Sequence, residues 1–149
     1  MKIVPRSAML LGAAGLLPFL WGVLTTLSPE MAEFTRTTVG PRFLGTYLII
    51  SYGTVILAFM SGVLWGFATK TEGKAAAAAY ALSTLPALWA FFVFGPGAQV
   101  AAQNLIIGYI GLLILDWGFQ RQGLAPDWWL SLRIPLTAGV IACLLVAAL

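Results

Sequence analysis

Histidine is absent from the 149 residues of this chain. That alone excludes histidine-ligated haem, histidine-based zinc sites and histidine-dependent nucleophilic triads built from this chain by itself. Cysteine occurs once, as Cys143 in an apolar run, so no disulfide can form within the chain. A lone cysteine in such surroundings reads as a small hydrophobe. Charge is scarce as well: charged residues make up 9% of the chain, against about 25% in soluble domains. Hydrophobic residues reach 60%, where soluble domains hold about 45–50%. A soluble fold would leave much of that apolar surface in water, so the composition is that of an integral membrane protein, and the length suits one domain over 1–149. The net charge of +3 is scattered between long uncharged runs, whereas a nucleic-acid surface needs basic residues clustered on one face. The partner implied is the lipid bilayer, with no nucleic acid.

What the chain does have is uncharged length. Residues 7–41 are broken only by Glu30, Glu33 and Arg36, and 43–69, 75–115 and 134–149 carry no charge. The third run is about twice the roughly 20 residues that cross a bilayer. It contains FGPGAQ (94–99), whose Gly-Pro-Gly is a strong turn signal. The expectation is an all-α polytopic bundle of five helices near 7–27, 43–68, 76–94, 99–119 and 132–149. Lys2 and Arg6 resemble the basic start of a signal peptide, but the apolar run that follows is longer than the usual 7–15 residues and no A-x-A pattern closes it, so a retained helix is expected.

Five spans put Lys2, Arg6, Lys70, Lys74, Arg121 and Arg133 on one side, and Arg36 and Arg42 on the other. Cytoplasmic loops carry the excess of Lys and Arg, which predicts a multi-pass protein of the inner (cytoplasmic) membrane with its N-terminus cytoplasmic and its C-terminus outside. The connector 28–42 opens Ser-Pro-Glu: an N-cap, a proline at the first helical position and an early carboxylate. It predicts a short outer-surface helix near 29–38, with Met31 and Phe34 one turn apart as interface anchors. Pro18, Pro86 and Pro135 fall inside spans, where neighbouring helices tolerate a kink. Most of the six tryptophans fall near span ends, as an interfacial aromatic belt requires.

Four constellations are candidates for function. On a helical projection Ala58, Gly62 and Gly66 share a stripe with Ser51 and Thr69, and Asn104, Gly108, Gly111 and Gly118 form a second one. Small-xxx-small spacing lets backbones approach in lipid, so these are expected to be helix-packing faces, turned toward each other or toward a common neighbour, or toward a second copy. The opposite face of 51–70 carries Ile56, Leu57, Met60, Leu64 and Phe67, and Gly53 falls on that side with no role visible in the sequence. Asp116 is the one carboxylate inside a span, with Arg121 and Arg133 on the same side as partners for a lock. A proton-carrying acid would need a second titratable group at membrane depth, which the pattern does not offer. Trp65, Trp89, Trp117, Tyr109 and Asn104 are the residues from which a wall for an apolar ligand could be built. Trp128 and Trp129 anchor the last span or dock a partner, since aromatics dominate interface hot spots. No metal cluster, phosphate loop or nucleophile–base pair is present, and an enzyme is not expected.

The stretches GLLPF (15–19), YGTVILAFMSGVLWGFA (52–68), Asp116 and GLAPDWWLSLRIPLT (123–137) resemble, in the same order, a family catalogued as a domain of unknown function, number 3429, which includes the eukaryotic transmembrane protein 69. The resemblance implies a small helical membrane protein and brings no established activity, cofactor or catalytic residue. Family members often carry a histidine where Leu64 stands and a tyrosine where Trp129 stands. A looser, architectural likeness is to the tryptophan-rich sensory proteins, five-helix proteins that bind porphyrins. Three functions follow as expectations: a non-catalytic accessory or scaffold subunit, for example of an energy-converting membrane complex; a binding protein for a lipid, quinone, porphyrin or other pigment, no resident cofactor being predicted; or a proton-coupled transporter using Asp116.

Overall fold

In a computed structural model, residues 3–92 and 95–149 are described; Lys2, which enters the charge count, and Phe94, at the expected end of the third span, lie outside them. The first span consists of two helices, α1 (Arg6–Ala14) and α2 (Leu17–Leu27). The connector folds into α3 (Pro29–Thr38) and a 3-10 turn, and the remaining spans are α4 (Gly45–Ala68), α5 (Gly73–Phe92), α6 (Ala98–Arg121) and α7 (Trp129–Ala148). The described residues contain no strand, and five segments are long and apolar enough to cross a membrane. The chain is a polytopic, all-α membrane protein. Large apolar side chains such as Leu20, Phe59, Ile114 and Leu145 stand exposed around the bundle, an arrangement suited to lipid rather than water.

Each break has a local cause. Pro18 has no N–H for the carbonyl of Ala14, and the first span interrupts its helix at Gly15–Leu16. Ser28 ends α2 and caps α3, its Oγ accepting from Met31 N at 3.4 Å. Thr25 is buried on α2 and its Oγ1 accepts from Gly45 N at 2.8 Å, so α2 satisfies an open donor at the start of α4. Pro86 sits inside α5, and Ser61 of α4 is inserted beside it. The Ser61 hydroxyl donates to the carbonyl of Ser83 and accepts from Ala87 N at 3.1 Å. It thereby occupies the place of the Ala87-to-Ser83 helical bond, a side chain inserted into the ladder at a kink.

α4 is the central helix, packed against α2, α5, α6 and α7. Its bulky face points inward: Ile49, Leu57, Met60 and Leu64 are buried, beside Tyr109 and Leu112 of α6 and Leu144 of α7. This corrects the expectation for its glycines. Ala58, Gly62 and Gly66 are exposed, and a Cβ added at Gly62 or Gly66 would meet nothing within 4 Å. The same holds for Gly111 and Gly118 of α6, so the two stripes do not face each other. Within the chain, close approach is the work of other glycines. A Cβ at Gly22 would overlap Ile49 Cγ1, and one at Gly12 would lie 2.8 Å from Leu136 Cδ1. Gly53 carries its helix against Phe19 and Leu105, a Cβ there coming within 3.4 Å of each. Of the predicted packing glycines only Gly108 is enclosed, with Leu57 and Trp89 each 2.8 Å from where its Cβ would be.

Candidate functional site

The polar centre of the molecule lies where α6 hands over to α7. At the end of α6 Gly123 adopts φ +75°, a conformation that strains any residue with a side chain. Gly123 N donates to Gln120 O at 2.9 Å and Leu124 N to Phe119 O at 3.0 Å, the paired bonds of a Schellman motif, with Phe119 and Leu124 both buried. The Gln120 amide then joins both ends of the turn: its Oε1 accepts from Leu130 N at 2.8 Å, and its Nε2 donates to Asp127 O at 3.3 Å. Lys70, from the turn between α4 and α5, donates to Leu124 O at 2.7 Å and lies 5.5 Å from the centre of the Phe67 ring. Three elements are thus fastened at one end of the bundle.

This turn brings the first residues of α7 back onto Asp116, whose side chain is fully buried. Arg133 Nε–H donates to Asp116 Oδ2 at 2.9 Å, and Trp129 Nε1–H donates to Oδ1 at 2.7 Å. Both carboxylate oxygens are therefore held, one by a charged partner and one by a neutral donor. Arg133 is itself buried, and its Nη2 and the Thr137 hydroxyl one turn later have no hydrogen-bond partner among the described residues. Trp129 is fixed further by edge-on contact with Phe67, ring centres 5.1 Å apart, and by Trp128 at 5.9 Å. Arg121, the other candidate partner, does not reach Asp116. It lies exposed on the outer side of α6 with its guanidinium 5.1 Å from the centre of the Trp117 ring.

The aromatic residues do not converge on one wall. Trp65 packs on Tyr80 at 4.6 Å on the outer side of α4 and α5, and Trp117 belongs to the α6–α7 face. Tyr109 is buried between helices, its hydroxyl donating to Gly53 O at 2.7 Å. Trp89 and Asn104 meet through the main chain, the indole N–H donating to the Asn104 backbone carbonyl at 2.7 Å. Trp89 also lines an apolar groove of about 520 Å³ between α5 and α6, floored by Gly108 and Gly111. On α3, Met31 is half-buried and Phe34 exposed, and Thr35 rather than either of them is the residue enclosed there.

Sequence reasoning missed the roles of Trp129, Ser61, Gly22 and Gly53. A signal existed for Ser61, the one hydroxyl on the buried side of α4 at a depth where a neighbouring helix carries a proline. None existed for the indole N–H of Trp129, whose direction depends on how the 122–128 turn folds. No group of three or more acidic or cysteine side chains suited to a metal ion occurs among the described residues.

Comparison with known proteins agrees with the motifs. The chain is 32% identical over 146 residues to transmembrane protein 69 of Xenopus tropicalis, covering 92% of this chain and 51% of that protein. It is 29% identical over 137 residues to transmembrane protein 69 of Mus musculus, covering 89% and 51%. The chain spans about half the length of these curated relatives. No solved structure matches it, and nothing supports the likeness to tryptophan-rich sensory proteins. With a family model matching residues 4–149, the chain belongs to the family described as Protein of unknown function (DUF3429).

Proposed function

We propose that the chain is a non-catalytic accessory or scaffold subunit that packs against other membrane proteins, its docking face being the small-residue side of α4. The observation that carries this reading is the placement of Ala58, Gly62 and Gly66 on an exposed helix face, where a Cβ added at either glycine would meet nothing within 4 Å. A helix that merely faces lipid gains nothing from glycine and loses about 1 kcal/mol per residue relative to alanine. Two glycines four residues apart are useful where another helix approaches closely. The polar groups favour the same reading, because Asp116, Arg133, Trp129 and Ser61 are engaged in holding the bundle together. The transporter reading is weaker, since both oxygens of Asp116 are occupied.

The orientation belongs to this proposal too: N-terminus cytoplasmic, in an inner or cytoplasmic membrane. Arg133 leaves the loop count because it is buried inside the last span, and the count then stands at five against two, still in favour of that orientation. The test is purification from native membranes of the wild type and of a Gly62→Ile/Gly66→Ile variant. The wild type is expected to carry a stoichiometric membrane protein, another chain or a second copy, and the variant to lose it while melting at the same temperature. A wild type recovered alone, or a variant that keeps its companion, contradicts the proposal.

A further inference from the structure

We propose that the groove between α6 and α7 holds an acyl chain of an anionic phospholipid whose headgroup rests on Arg121. The residues lining this groove belong to α6 and α7, and none of them is part of the α4 face. Ile110, Ile114, Trp117 and Arg121 recur at spacings of four, three and four, and so form one stripe along α6. Its first three residues, with Leu113 and with Leu130 and Ile134 of α7, line an apolar groove of about 490 Å³. Arg121 closes the stripe at the bundle end, its guanidinium 5.1 Å from the Trp117 ring centre.

Charge complementarity identifies the occupant. Among the described residues no carboxylate lies within ion-pair distance of Arg121, the ion pairs being Arg36–Glu33 and Arg133–Asp116. The neighbouring cation, Lys70, is directed at the Leu124 carbonyl instead. An exposed guanidinium beside the tryptophan that lines an apolar groove fits a molecule with a phosphate at one end and a hydrocarbon chain at the other. Guanidinium binds phosphate oxygens in bidentate fashion, and an indole is at home at headgroup depth. A zwitterionic headgroup brings its own cation against Arg121, so the fit favours a net negative lipid.

Native mass spectrometry of the purified full chain, titrated with equal phosphatidylglycerol and phosphatidylcholine of identical chains, tests this. The expected preference for phosphatidylglycerol is about fivefold, the factor supplied by one arginine at an anionic surface. Arg121→Gln is expected to abolish the preference, and Ile134→Trp, which fills the groove, to reduce binding of both lipids. Arg42→Gln at the other end of the bundle should change neither. Arg121 and Ile134 are exposed, so both variants should keep the wild-type melting temperature, which separates loss of binding from loss of fold. Equal binding of the two lipids by the wild type overturns the proposal. So does a preference that survives Arg121→Gln, undiminished binding in Ile134→Trp, or a lipid-free dimer that buries the groove against a second copy.

Discussion

At the scale of single residues, Asp116 ties the end of α6 to the start of α7. A carboxylate inside a membrane span is costly, and here the cost is offset by one charged and one neutral donor arriving from α7. Arg133 depends on the same contact, because its buried Nη2 has no hydrogen-bond partner among the described residues. Asp116→Ala should therefore destabilise the protein by about 3–5 kcal/mol, since it strands a buried cation. The double replacement Asp116→Leu/Arg133→Met should be markedly less damaging than Asp116→Ala, because no charge remains to be left unpaired. Reversible unfolding in mixed micelles measures both, and a double variant as unstable as the single one would show that the ion pair is not what the site needs. The sequence placed Arg121 and Arg133 at the same end of the bundle as Asp116 but could not choose between them. That choice is made by the turn at Gly123, which swings α7 onto Asp116 and leaves Arg121 on the outer face.

At the scale of helices, the spans were legible within a few residues because the bilayer demands length and absence of charge, both of which are written plainly in the chain. The faces were not. In water, an apolar stripe points inward because solvent rejects it; in lipid, both sides of a helix meet hydrocarbon, so the same projection has no preferred sign. The stripe of Ala58, Gly62 and Gly66 is turned outward, away from the second stripe on α6, while the bulky Leu57, Met60 and Leu64 form the core. Gly53, without a role in the sequence, turns out to seat α4 against Phe19 and to accept the Tyr109 hydroxyl through its carbonyl. This assignment makes a contrast that thermal melts in detergent can check. Gly22→Ala should cost about 1–3 kcal/mol by forcing α2 off α4, as overpacking does. Gly62→Ala and Gly66→Ala should cost nothing and can raise stability slightly through helix propensity. Equal losses at all three positions would mean that α4 is rotated relative to the arrangement described.

At the scale of the whole molecule, the bundle uses its polar residues to close on itself and leaves a glycine-bearing face of its central helix turned outward. The two curated relatives are about twice as long as this chain, which covers 51% of each. The central claim, that the outward face of α4 is a protein contact rather than a lipid contact, can be read by placing a photo-reactive diazirine side chain at Gly62 and irradiating intact native membranes. The account predicts a discrete protein adduct from position 62, and only lipid adducts from the same probe at Leu145, an ordinary exposed position on α7. Lipid adducts alone from position 62 would contradict it.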